Sequence, residues 1–286
     1  MNADNFQLKI SRTLLTTFLV LSGSANLFAA DVTQGATALA IVPGKTTEIR
    51  IEMPDALRRM AGGGALSPVS GALIAIAVPE NFDAARAWPI LIVSATSDPG
   101  YNLSRRSMRG FVEPALTAGW VVLAADPAEP LAGVDDDTNV LRYALIKTAL
   151  AALASAWPDS TRWPIAFGGF SGGSKRTGVL ALVSTIEGRR PIGLFLGGCN
   201  EAAAVWALEE YRKPLPQFLR VPVFLSSGER DAIATPAQHR QVQRDMIGAG
   251  FSRVRLDSYS GRHELNQQQV RAALEWFAGV RDEMKD

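Results

Sequence analysis

The chain has 286 residues, 47% hydrophobic and 20% charged, the composition of an ordinary globular protein and enough chain for one α/β domain with a full core. Lys and Arg number 29 against 28 Asp and Glu, so no basic excess suggests nucleic acid and no acidic tract suggests a solvating tail. One cysteine excludes an intramolecular disulfide, and two histidines beside it make no metal cluster, so neither metal nor cofactor is implied.

In chain order, residues 1–30 read as a secretory signal peptide. Lys9 and Arg12 supply positive charge, 14–21 form a short apolar core, and small residues follow at Ser22 to Ala25 and at Ala29-Ala30. The apolar core is too short for a comfortable membrane span. Cleavage near 25–30 would leave one domain, 31–286, in the periplasm or medium, with no stable span afterwards. Residues 46–53 alternate apolar and polar, the pattern of a half-exposed strand at an antiparallel edge. Ala61-Gly62-Gly63-Gly64-Ala65 then reads as a flexible turn between the early strands.

From about residue 70, apolar runs alternate with helical patterns. The runs are 72–78, 89–93, 120–125, 164–170, 192–196, 221–225 and 254–259. The helices are 105–118, 138–157, 172–186, 202–211, 236–249 and 267–281. Such alternation is the signature of a parallel sheet with helices on both faces. Val179, Leu182, Val183 and Ile186 make one helical face, and Val270, Ala273, Leu274 and Phe277 another. The connection between the runs at 192–196 and 221–225 is too short for a cap domain, so a minimal lid and an open pocket are expected.

Gly169-Phe170-Ser171-Gly172-Gly173 is a G-x-S-x-G pattern between a strand-like run and a helix. That setting suits a nucleophile held at a strained turn, with glycines where flanking side chains would clash. The backbone N–H after the serine can then face a developing oxyanion. Asp231 follows the run at 221–225, and His263 follows the run at 254–259. The order is serine, acid, histidine. His239 shares a helical face with Val242 and Met246, so packing or surface exposure accounts for it, and its loss should leave the chemistry nearly unchanged. Glu229, on the same loop as Asp231, and Asp257, six residues before His263, are rivals for the acid.

On these residues the sequence resembles the α/β-hydrolase superfamily over roughly 70–280. The elbow and compact length are similar to the dienelactone-hydrolase and secreted-esterase (polyhydroxybutyrate-depolymerase-like) branches. The resemblance implies an α/β-hydrolase fold, a mostly parallel twisted sheet and a Ser171–His263–Asp231 triad. It implies a serine hydrolase acting on small-molecule or polymeric carboxylic esters. It also implies an oxyanion hole from the N–H of Gly172 and one from Ala95-Thr96-Ser97, with Thr96 the candidate. Many relatives carry His-Gly there and this chain does not, but backbone donors require no particular side chain. Asp98, Tyr101 and Asn102 follow, where substrate lining and ordinary loop polarity account for them equally.

Other chemistries fit less well. Near Lys175 the glycines fall out of phosphate-loop register, because Ser174 intervenes and Arg176 stands where Ser or Thr is needed. Cys199 reads as a buried thiol near a strand end, not a nucleophile. A peptidase or amidase using the same triad, and a hydrolase-fold binding protein without chemistry, remain open.

Overall fold

Each apolar run corresponds to a strand in the computed structural model, which describes residues 40–283. The expected signal segment, 1–30, lies outside the described residues. The strands are β1 Thr46–Glu52, β2 Gly71–Ala77, β3 Ile90–Ser94, β4 Val121–Pro127, β5 Ile165–Phe170, β6 Leu194–Gly197, β7 Val223–Gly228 and β8 Val254–Tyr259. They form one eight-stranded sheet in the order β1-β2-β4-β3-β5-β6-β7-β8. From β4 through β3, β5, β6 and β7 to β8 every pairing is parallel. β1 is an antiparallel edge strand, as its alternation predicts, and exposure alternates along it.

β2 departs from expectation. The run at 72–78 reads as one of the parallel strands, yet β2 is antiparallel to both β1 and β4. The connection from 78 to 89 contains no helix to carry the chain back across the sheet. β3 therefore starts at the end where β2 finishes.

The helices are α1 Asp55–Ala61, α2 Ser104–Thr117, α3 Asn139–Ala156, α4 Gly172–Ile186, α5 Ala203–Tyr211, α6 Pro216–Leu219, α7 Pro236–Gly248 and α8 Gln267–Glu283. α1 and α6 are too short to leave a periodic trace in the sequence. Period-two alternation divides each central strand between two cores. On one face Ile90, Ile92, Phe167, Leu194, Leu196 and Leu225 pack against α3, α4, α5 and α7. On the other, Leu91, Val93, Ala166, Phe195 and Phe224 pack against α2 and α8. Covering both faces is what makes these strands read as continuous apolar runs.

The predicted face of α8 holds: Val270, Ala273, Leu274 and Phe277 are all fully buried. The single face expected for α4 is too narrow. Leu180, Ala181 and Thr177 are buried as well, while Val179 and Ile186 are only partly so. α4 is wedged among β5, β6, α3 and α5, so most of its circumference meets protein. Between β6 and β7 the chain holds only α5 and α6.

Candidate active site

β5 ends at Phe170, and the next residue, Ser171, turns into α4 with φ 55° and ψ −125°. A non-glycine residue at positive φ is strained by about 1–3 kcal/mol and persists only where its surroundings fix it. Here Ser171 N–H donates to the Gly197 carbonyl at 2.8 Å, extending the β5–β6 pairing into the turn. The Ser174 N–H and hydroxyl both donate to the Ser171 carbonyl. The flanking glycines are steric requirements. A Cβ on Gly169 would lie 2.3 Å from the Gly173 carbonyl oxygen, and one on Gly173 would lie 2.3 Å from that of Ser94.

Parallel pairing carries the three triad candidates to one edge. β5 and β6, then β6, β7 and β8, are neighbours, so the loops after β5, β7 and β8 leave the sheet at the same end. The last two loops are joined: Glu229 N–H donates to the Tyr259 carbonyl and Arg230 N–H to the Gly261 carbonyl, each at 2.9 Å. Glycine at 228 permits the approach, since a Cβ there would sit 2.3 Å from the Arg262 carbonyl oxygen. This joint brings His263 Nδ1 to 2.7 Å from Asp231 Oδ2. His263 Nε2 lies 2.9 Å from Ser171 Oγ. With Nδ1–H donating to the carboxylate, Nε2 is left as an acceptor facing the hydroxyl.

Asp231 is buried and has a second engagement. Its Oδ1 accepts the N–H groups of Ile233 and Ala234, both at 2.8 Å. Burial alone would raise its pKa. The bond from His263 and those two amides outweigh burial and hold the carboxyl below its ordinary value. Phe170 packs its ring 4.8 Å from the imidazole centroid. Gly198, at φ 56°, forms the adjoining wall; a Cβ there would be 3.1 Å from His263 Cε1.

The rivals for the acid are placed differently. Asp257 binds Arg255 at 2.6 and 2.9 Å on the partly exposed edge strand β8, and Glu229 is exposed. His239 is fully buried, which removes surface exposure as its explanation. Cys199 is buried, and burial pushes its thiol up, away from the thiolate.

The loop after β3 lies against the elbow, because Ser94 pairs in register with Gly169. A Cβ on Gly172 would sit 2.2 Å from Thr96 Oγ1, so Thr96 and Gly172 are in direct apposition. Gly172 opens α4, where its N–H has no helical acceptor. The Thr96 hydroxyl donates to Asp98 Oδ2 at 2.8 Å and accepts the Asp98 N–H at 3.2 Å, folding the loop onto itself.

Beneath this loop is a buried charge network that sequence patterning does not reveal. Arg142 donates to Asp126 and Asp137 and to the Asn102 carbonyl. Arg176, one turn into α4, donates to the Asp137 carbonyl at 3.0 Å. Asp126 also accepts the N–H groups of Ser104 and Arg105, and Ser104 Oγ accepts that of Ala95. The network thus ties β4, α2, α3 and α4 to the residue before Thr96. Burial opposes the Arg142 charge, but Asp137 and Asp126 more than offset it. Burial, and next the neighbouring Arg142 charge, lower Arg176 to about 10. A polar residue in a helix pattern gives no sign of its burial; the only trace was Arg142 interrupting the apolar run of α3.

A cavity of about 500 Å³ opens beside the Thr96 loop, lined by Pro99, Asn102, Leu103, Pro127, Leu131 and Val134 among others. Glu129 and Arg142 also line it, and none of Ser171, Asp231 and His263 does. Tyr101, Leu103 and Val134 are exposed near it. Asn102 and Leu103 thus lie on a cavity wall, while Asp98 is occupied with Thr96. Among the described residues no cluster of His, Cys, Asp and Glu could hold a metal ion, and no helix is long and apolar enough to cross a membrane.

No family model matches the sequence. No curated protein matches it either. Solved structures do. An α/β serine hydrolase without lid from Xanthomonas campestris is similar over 85% of this chain and 97% of its own, at 16% identity and a TM-score of 0.53. Esterase 2 of Thermogutta terrifontis, phosphoramylated by tabun, is similar over 89% and 98%, at 14% identity and 0.52. A cold-adapted esterase from an Arctic intertidal metagenomic library is similar over 84% and 92%, also at 14% and 0.52. The chain has the α/β-hydrolase fold.

Proposed function

We propose that this protein is a serine hydrolase of carboxylic esters working through an acyl-enzyme on Ser171. One observation carries the reading: a strained serine whose Oγ lies 2.9 Å from a histidine that is itself held at 2.7 Å by a buried carboxylate. A structural serine in a glycine-rich turn has no need of that chain of groups.

In the proposed reaction Ser171 Oγ attacks the acyl carbon as its proton passes to His263 Nε2. Asp231 fixes the imidazole tautomer and stabilises the imidazolium. The carbonyl oxygen becomes an oxyanion and takes N–H bonds from Gly172 and Thr96. The tetrahedral carbon expels the alcohol, which leaves with the proton from His263. Water then gives a proton to Nε2 and attacks the acyl-enzyme, releasing the acid and restoring the Ser171 hydroxyl. The charge and spacing of the first 30 residues support export, with the enzyme acting in the periplasm or medium.

Ser171→Ala, assayed with p-nitrophenyl acetate, should fold normally and lose turnover by several powers of ten. A fluorophosphonate probe should label the parent and not the variant. Turnover by Ser171→Ala above the blank would refute the assignment. Faster release from a p-nitroanilide than from the matching ester would place the protein among amidases.

A further inference from the structure

His239 is the histidine that the proposed reaction does not use. It lies on α7, 0% exposed, and both its ring nitrogens are bonded. Nδ1 sits 3.1 Å from the Thr235 carbonyl, an oxygen that can only accept, so Nδ1 carries the proton. Nε2 is then an unprotonated acceptor, and it receives the backbone N–H of Cys199 at 3.1 Å. Burial depresses the pKa of His239 and favours this neutral form; the bond to the Thr235 carbonyl and the Asp231 charge oppose it without prevailing.

The Cys199 amide belongs to the peptide joining it to Gly198. Gly198 is in the left-handed region and abuts both Phe170 and His263 Cε1. Glycine adopts that conformation freely, so little in Gly198 itself resists rotation of the following peptide. Its own N–H is held by the Ser226 carbonyl at 3.1 Å, and the N–H of the next peptide is held by His239 Nε2. At its other end His239 joins the first turn of α7, directly after the Ile233 and Ala234 amides that bind Asp231. The titratable groups that bear on its ring are Asp231 and His263.

We propose that His239 is a positioning residue for the reaction: its Nε2 locks the Gly198–Cys199 peptide, the wall against which the His263 imidazole rests, to the loop that carries Asp231. This rests on the serine-hydrolase reading above. It also replaces the sequence-based expectation that loss of His239 leaves the chemistry nearly unchanged. Without the acceptor a buried N–H is orphaned, the peptide turns to find another partner, and the imidazole loses its backing. A displacement of about 1 Å in a catalytic group can cost on the order of a hundredfold in rate.

The test compares two polar substitutions. His239→Gln carries its amide about where histidine carries Nε2, so its oxygen can accept from Cys199. His239→Asn carries its amide about where histidine carries Nδ1, reaching Thr235 but not Cys199. With p-nitrophenyl acetate, the Asn variant should lose about 10- to 100-fold in kcat with KM within about twofold, and the Gln variant should stay within about threefold of the parent. A second readout is independent of turnover. The downfield proton resonance of His263 Nδ1–H should be sharp in the parent and in the Gln variant, and broadened by exchange in the Asn variant. Parent-like kcat and a sharp resonance in the Asn variant would overturn the proposal, as would equal losses in both variants. A parent that shows the resonance but neither turns over esters nor reacts with a fluorophosphonate would overturn the enzymatic reading instead, and the resonance comparison would still decide the positioning role.

Discussion

Asp231→Asn should abolish most turnover while leaving the fold intact, and the structure says why the two separate. Oδ1 of Asp231 accepts two backbone N–H groups at 2.8 Å, and Oδ2 accepts His263 Nδ1–H at 2.7 Å. Asparagine must leave its oxygen toward the two amides, because an NH2 group there would face two donors. Its NH2 group then points at His263 Nδ1. A donor at Nδ1 moves the imidazole proton to Nε2, which faces Ser171 Oγ at 2.9 Å and can no longer accept from it. The stabilising charge is lost as well. A wrong tautomer of this kind can cost up to ~10⁴-fold, which is about 5.5 kcal/mol of barrier. Both backbone bonds survive, so Tm should move by only a degree or two (about 0.5 kcal/mol). Asp231→Ala is the contrast: it orphans two amides at ~1–3 kcal/mol each, and Tm should fall by several degrees. The assay is kcat/KM with p-nitrophenyl acetate beside thermal unfolding of all three proteins. Turnover by Asp231→Asn within tenfold of the parent would refute the argument, and so would a Tm loss equal to that of Asp231→Ala.

The rival carboxylates should be nearly silent: Asp257→Asn and Glu229→Gln are expected to keep most activity, and an inactive Asp257→Asn would move the acid to β8. Arg142→Met should cost about 3–5 kcal/mol, because it leaves Asp126 and Asp137 buried without their main partner. Arg255→Met removes an exposed pair worth ~0–1 kcal/mol, and equal Tm losses for the two variants would contradict the network's weight. His239 has a folded pKa below the ordinary 6.5, so its native state binds fewer protons than its unfolded state and stability is lost as pH falls below about 6.5. The stability advantage of the parent over His239→Gln should therefore shrink between pH 7 and 5, by up to ~1.4 kcal/mol per pH unit, in denaturant titrations; a constant difference would mean that His239 titrates normally. Sequencing of protein recovered from periplasm or medium should find a first residue between Asn26 and Asp31, and an intact Met1 end in the cytosol would contradict export.

What the sequence determined alone was whatever is written locally. Strand runs of five to seven residues, the Gly169–Gly173 glycines and the post-strand places of Asp231 and His263 all signal within short windows, because periodicity and turn chemistry act between near neighbours. Those windows were enough for the strand order of events along the chain and for the site candidates. The lack of a helical pattern between 78 and 89 is legible in the sequence, but the antiparallel direction of β2 is settled only by its pairing with β1 and β4. Short windows could not show α4 enclosed on most sides, since that reflects α3, α5 and the sheet arriving from elsewhere. The tertiary structure alone decided the distances within the candidate site: Ser171 and His263 meet across 92 residues, and Asp231 and His263 across 32. It also turned three residues that read as ordinary helix positions into structural determinants. Arg142 and Arg176 share the buried Asp137 carboxylate, and His239 finds its partner 40 residues away at Cys199. Hydrogen bonds and ion pairs between distant segments leave no periodic trace, because their energy depends on burial that only the packed chain creates.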